Sequence, residues 1–376
     1  MPRSFVDMDR PQIQITGGPS ARLEAGFAVG LSSVLPLRVG WRALAGGSDL
    51  PSTQFEWAVA ATNQLGAKLR ANVAYVSDGS SLRSILPLLM KPRAGIEHFE
   101  YLSPTMPMPI DILHTDRPAL DLLLSSVMRL GRPIHLARML AQSPATDALR
   151  QMADEKRRRI KIEPAEPAHY LPTAGFPLSD RGQSAARVSI IATSYGLSGG
   201  PSDVIFQFIA PSLDQVTPLC SESLQLQSAS LSPKKSRPKQ DKEVDGLGFI
   251  RTHAFDCAQC GEIRFSCLRL AGRLLAVQML QVRKDTAWLL SSGTLERFRD
   301  TTLGTLLMSE TIRKLQHESV QRIMVPSATS VKDVGECRQL ACVNVAMYPW
   351  SSRSLMAATL ERAGRVFVKV RASSRG

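Results

Sequence analysis

Arg297, Arg299, Thr302, Gly304 and Thr305 crowd the entrance to a helix that the apolar pattern starts at Leu303. A helix start carries unpaired N–H groups and the positive end of the helix dipole, so it suits phosphate oxygens. Gly304 lets a ligand approach the backbone closely because it has no Cβ. Arg297 and Arg299 would add charge-assisted hydrogen bonds. The alternative is an ordinary helix start with Thr301 or Thr302 as its cap.

Other reactive residue types form weaker patterns. Cys257-Ala258-Gln259-Cys260 is one tight Cys pair, and Cys267, Cys337 and Cys342 would have to complete a zinc site that normally uses two such pairs. Cys267 sits inside a strand pattern, where it packs as a small apolar residue. No metal is expected. The six histidines lack motif partners and no Gly-x-Ser-x-Gly elbow occurs, so a nucleophile triad finds no support. The net charge of +13 attracts anions in general. Aromatic residues make up only 6% and none interleaves the basic runs at 156–161 and 234–242, so sequence-specific nucleic-acid recognition is not expected. Those runs read as a solvated helix end and a solvated loop.

The chain of 376 residues is long enough for two domains, and its 44% hydrophobic content allows real cores. No stretch reaches the roughly 18 consecutive apolar residues of a spanning helix. Met1 to Gln14 lacks the character of a secretory signal, and the default location is cytoplasmic. Residues 1–35 read as a flexible arm. Helices are expected at Leu37–Leu44 and at Ser52–Leu65, the second capped at Ser52-Thr53. A hairpin follows, Leu69–Val76 and Leu82–Met90 about Asp78-Gly79. Ile96–Leu102, Pro109–Leu113 and Ile134–Met139 read as strands. Asp116–Leu130 reads as a helix with Asp116 as cap and Pro118 in its first turn. Asp147–Arg159 reads as a helix, Ala165–Gly200 as scattered strand signals, and Ser228–Gly248 as an exposed loop. Order resumes at Ile263 with strands Arg264–Leu270, Leu274–Arg283 and Thr286–Ser291. A loop then leads into the helix Leu303–His317, which is apolar on more than one stripe, and strand Val320–Val325. The two halves share this order of elements.

Three segments carry a family resemblance: Ser52-Thr53-Gln54-Phe55-Glu56-Trp57, the hairpin Leu270-Ala271-Gly272-Arg273-Leu274-Leu275-Ala276, and the loop-into-helix Arg297-Phe298-Arg299-Asp300-Thr301-Thr302-Leu303-Gly304. Together they resemble the GNAT-type N-acyltransferases, closest to the two-domain cellulose-biosynthesis or FemAB-like acetyltransferases. The resemblance covers roughly residues 36–175 and 220–350. It implies an α/β fold of two tandem GNAT-like domains, with mixed, mainly antiparallel sheets flanked by helices. The expected domains are 36–175 and 249–376, with 176–248 as a connecting region. The superfamily's pyrophosphate loop is matched by Arg299, Thr302 and Gly304, with Thr302 replacing its first glycine. Gly182 to Gly200 departs from the family, which places a basic helix there.

The resemblance implies transfer of an acyl group from acyl-coenzyme A, or from an acyl-carrier protein, to an amine or hydroxyl of a small metabolite or envelope precursor. Such a reaction needs a donor clamp, polarisation of the thioester carbonyl and removal of a proton. A backbone N–H within Leu275–Leu280 is expected to polarise the carbonyl. Asp111 matches a carboxylate that the family places at a strand end, and Lys332 its late lysine; surface or capping roles are the alternative for both. The rival function is a catalytically inactive relative retained for binding or scaffolding.

Overall fold

The computed structural model describes residues 22–65, 69–93, 95–103, 108–155, 159–176, 181–230, 246–298, 302–326 and 334–359. The first half runs β1 (Glu24–Val29), α1 (Leu31–Val34), α2 (Arg38–Ala45), α3 (Phe55–Asn63), β2 (Arg70–Ser77), β3 (Leu82–Arg93), β4 (Ile96–Tyr101), β5 (Leu113–His114), α4 (Arg117–Arg129), β6 (Ile134–Leu140), α5 (Pro144–Asp154) and β7 (Ile160–Pro172). The second half runs α6 (Arg181–Ser194), β8 (Val204–Ile209), α7 (Leu213–Ser230), α8 (Gly246–Gln259), β9 (Ile263–Leu270), β10 (Arg273–Arg283), β11 (Thr286–Thr294), α9 (Leu303–His317), β12 (Arg322–Val325) and β13 (Arg338–Met347).

The same unit occurs twice. In each half an edge strand leads through helices to an antiparallel hairpin, then a strand, a crossover helix and a parallel strand. β4 pairs parallel with β6 across α4, and β11 pairs parallel with β12 across α9. The other pairings between named strands are antiparallel, so the tandem GNAT-like architecture stands. The two sets join edge to edge in one sheet, ordered β1-β2-β3-β4-β6-β13-β7-β12-β11-β10-β9-β8. The join is made by long β7, which pairs with β12 at one end and with β13 along its length, while β13 pairs on its other edge with β6.

Side chains alternate across the strands, and both faces are covered. One cluster spans both halves, with Trp41, Phe55 and Trp57 of α2 and α3 continuous with Phe249 and Ala254 of α8 and Phe265, Met279 and Trp288 of the second-half strands. Trp57 meets Phe249 edge-on at 4.8 Å. On the opposite face α4 and α5 cover the first half. There α9 covers the second half, contributing to two separate clusters, as its two apolar stripes require.

Several elements depart from expectation. The Ser52-Thr53 cap does not form: Ser52 Oγ donates to the Pro109 carbonyl and Thr53 Oγ1 to that of Leu50, and α3 begins after Gln54. α5 starts earlier than expected because Ser143 accepts the Thr146 N–H and Pro144 opens the first turn. The expected strand Pro109–Leu113 reduces to an isolated bridge at Ile110 and the short β5. Residues 182–194, within the stretch read as scattered strand signals, are helical in α6. Ser and Gly lower its propensity, but Ser184, Val188 and Ala192, spaced by four, form a buried stripe. Residues 22–35 of the expected flexible arm hold β1 and α1, the expected connecting region 176–248 holds α6, β8 and α7, and α8 and β13 were not foreseen either. Residues 231–245, which hold most of the expected basic loop, lie outside the described residues.

Candidate functional site

β11 and β12 pair only from Thr286–Trp288 against Arg322–Met324. β11 then continues to Thr294 while β12 ends at Val325, so the two strands part. A bulge falls at the parting: Leu280 of β10 pairs with Leu289 and Met279 with Ser291, which leaves Leu290 without a partner in that ladder. β10 is paired along both edges from Ala276 to Gln281, so within the expected Leu275–Leu280 only Leu275, at a second register shift, lies outside that pairing. The parting edge belongs to β11.

At the parting lies a cavity of about 20 Å³ lined by Met108, Pro109, Arg138, Ala168, Trp288, Leu289, Met324, Val325 and Pro326. The first half therefore closes one side of it. Trp288 is 2% exposed, and its indole N–H has no hydrogen-bond partner among the described residues. Neither Trp288 nor Arg138 was singled out from sequence; both fall inside strand patterns, and only the topology brings them together.

Beyond the end of β11 lies the start of α9. Thr302 occupies the N-cap position at φ −80°, ψ 8°, and its side chain makes no capping bond. Its carbonyl accepts the Leu306 N–H at 2.9 Å and closes the first turn. The alternative of a threonine-capped start at Thr302 is therefore not realised. Gly304 is half-buried, and among the described residues a Cβ there would meet only Thr294 Cγ2 within 4 Å, at 3.8 Å. The described residues thus leave room beside this glycine. Thr305, also half-buried, accepts the Ser309 hydroxyl on its carbonyl. Arg297 is exposed; its Nη1 donates to the Tyr195 carbonyl at 3.3 Å and its guanidinium lies 5.9 Å from the Phe298 ring. Arg299, Thr301 and Lys332 lie outside the described residues.

Asp111 lies in the first half, two residues past Pro109 of the cavity wall. Its Oδ1 accepts the Ile112 N–H at 2.8 Å, and burial raises its pKa above the usual carboxylate value. The neighbouring Tyr101 hydroxyl is raised too, first by burial and then by the Asp111 charge, and donates to the Ser52 carbonyl at 2.9 Å.

Cys257 is buried at the end of α8, with Sγ 3.4 Å from His253 Nε2, while Cys260 is exposed. Burial raises the Cys257 thiol well above its ordinary pKa, which disfavours the thiolate that metals and disulfide chemistry require. Among the described residues no group of three His, Cys, Asp or Glu side chains is placed to hold a metal.

Residues 209–325, from the end of β8 through the end of β12, match the acetyltransferase (GNAT) domain family. The second half is thus similar to the GNAT family in sequence as well as in topology. The parting strands and the open helix start both fall within the matched segment or at its edge. The C-terminal domain of a putative lysylphosphatidylglycerol synthetase from Agrobacterium fabrum superposes on this chain with a TM-score of 0.51 at 11% identity, covering 87% of this chain and 97% of that one. The L-PGS structure from Bacillus licheniformis gives 0.50 at 8% identity, over 86% and 94%. At such identities these two likenesses establish the shared fold alone. FemX gives 0.48 at 9% identity, over 77% and 86%. No curated protein matches the chain in sequence. Among the described residues no helix is long and apolar enough to cross a membrane.

Proposed function

We propose that the GNAT domain transfers an acyl group from an acyl-coenzyme A to an amine or hydroxyl of a small metabolite or envelope precursor. The observation that supports this reading is the start of α9, whose N-cap side chain makes no capping bond and whose Gly304 faces space that the described residues do not fill. The pyrophosphate would lie against the N–H groups of Gly304 and Thr305, with Arg297 and Arg299 supplying positive charge. The acyl arm would then run along the parting edge of β11 toward the bulge at Leu290. A backbone N–H there would stabilise the oxyanion as the acceptor's lone pair attacks the thioester carbon. The C–S bond then breaks, the thiolate leaves, and the acceptor's proton passes to a base. Asp111 is the candidate base, because burial has raised its proton affinity and its segment forms part of the cavity wall.

Calorimetric titration with coenzyme A and acetyl-coenzyme A tests the clamp. Gly304→Val should remain folded by circular dichroism yet lose binding, since its side chain would occupy the phosphate's place. Arg299→Ala should weaken binding by about 1.5–3 kcal/mol, or about 10-fold to 150-fold. Asp111→Asn should slow transfer without changing coenzyme A affinity. Thr302 in place of the superfamily's first glycine favours the rival reading of an inactive scaffold. That reading takes over if wild type binds neither species, and equal binding by both clamp variants would move the site elsewhere.

A further inference from the structure

Arg138 belongs to the first half but lines the cavity of the second. Its backbone has φ 60°, a left-handed conformation that side-chain-bearing residues avoid. Among the described residues the other non-glycine positions with positive φ are Ala271, Lys284 and Ser319, all in turns; Arg138 lies inside a strand. The cause is a bulge. On β13 the step from Val343 to Val345 is met on β6 by Met139 to Leu136, so β6 carries an extra residue. Asn344 Oδ1 accepts the N–H of Arg138 at 3.1 Å and holds the kink. A residue kept in such a conformation is a mark of function when its surroundings enforce it.

The Arg138 side chain is only 13% exposed, yet its charge is poorly neutralised. Nη1 reaches Glu166 Oε2 at 3.4 Å, a carboxylate on a side chain 68% exposed, and Nη2 reaches the Pro167 carbonyl at 3.3 Å. Nε is buried and has no partner among the described residues. Trp288, whose indole N–H is likewise unpartnered, forms another wall of the same cavity. Buried donors without acceptors are costly, and a cation among mostly apolar walls more so. An anionic oxygen would relieve both.

Size narrows the choice. One water needs roughly 10–15 Å³ of such space, and the cavity offers about 20 Å³. That is room for at most two such oxygens, as in a carboxylate, and less than a tetrahedral phosphate needs. A flat guanidinium edge also matches a carboxylate. We propose that Arg138 and Trp288 form a carboxylate subsite at the parting of β11 and β12, and that the acyl acceptor bears a carboxylate. The subsite follows from the cavity alone; its assignment to the acceptor rests on the acyl-transfer reading.

The test uses the full chain and nuclear magnetic resonance of side-chain N–H groups. The indole signal of Trp288 is assigned with Trp288→Phe and the Nε–H of Arg138 with Arg138→Gln. Acetate should shift both signals saturably, whereas neutral acetamide should not, and phosphate should shift them less than acetate. In Arg138→Gln the Trp288 shift should need at least about ten times more acetate. Equal responses to acetate and acetamide, a stronger response to phosphate, or an unchanged acetate titration in Arg138→Gln would overturn the subsite. Should Arg138→Gln not fold, Arg138→Lys decides, because an ammonium lacks the fork; unchanged acetate affinity there also overturns it. Coenzyme A binding is measured on the same samples. If coenzyme A does not bind but the acetate response survives Arg138-dependent controls, the carboxylate subsite stands and the acyl-transfer reading falls.

Discussion

The two halves repeat one topology but treat their crossover helices in opposite ways. At the start of α4, Asp116 Oδ1 accepts the Ala119 N–H at 2.9 Å, and Oδ2 accepts from Arg83 at 2.6 Å. The bond from Ala119 is the main cause of its lowered pKa. A carboxylate of the protein's own already sits where a phosphate would otherwise lie. At the start of α9 the N-cap side chain makes no such bond and glycine follows. The gaps between the parallel strands differ as well. In the first half Ile110 bridges to β6, donating its N–H to Arg138 and accepting from Leu140, and so fills the opening. In the second half the opening persists as the cavity. The repeat thus leaves the gap between its parallel strands closed in one half and open in the other.

The largest effect should come from reopening the closed gap. Ile110 is 2% exposed and packs in the core under α4 and α5. Ile110→Ala should cost about 2–5 kcal/mol in urea denaturation, and coenzyme A affinity at the other half should not follow it. A loss below about 1 kcal/mol would mean that the segment is not structurally required, and the contrast between the halves would weaken.

Next comes the seam between the halves. His253 of α8 is fully buried, stacks on Phe249, meets Trp57 of α3 edge-on at 5.0 Å and bonds Gln281 at 2.9 Å. Burial lowers its pKa from 6.5 to about 4. Between those values the unfolded chain binds the proton and the folded one does not, so stability falls as pH drops from 6.5 toward 4. The loss from this group is on the order of 3 kcal/mol. His253→Gln should flatten that part of the stability–pH curve, measured by denaturation across the window. An unchanged slope would free the seam from this histidine.

Much of this arrangement can be read along the sequence wherever the signal is local. Asp116 with Pro118, the Ala271-Gly272 turn and the two-striped α9 carry their own caps, turn residues and periodicity, and all appear as expected. α6 was obscured by residues of low helix propensity whose burial overrides it. α7 carries Pro218 in its interior, which argues against a helix until tertiary packing is known. Near the candidate site, the helix start at Leu303 was legible because a helix start is a local motif. The cavity was not, since Arg138 and Trp288 meet only through the pairing of β7 with both β12 and β13.

The smallest effect is also the most discriminating. Asp116→Ala removes the cap of α4 and the partner of Arg83, and should cost about 1 kcal/mol. The carboxylate is 33% exposed, so solvent screens its ion pair and the cap is the larger part of that loss. If α4 were a second donor site held shut by its own carboxylate, removing Asp116 would expose its N–H groups and create a second coenzyme A event. If the half is closed by Ile110 as well, freeing the helix start alone opens nothing. Calorimetry of Asp116→Ala should therefore show unchanged stoichiometry and affinity alongside the small loss in stability. A second binding event would show that one carboxylate, not the filled gap, separates the two halves.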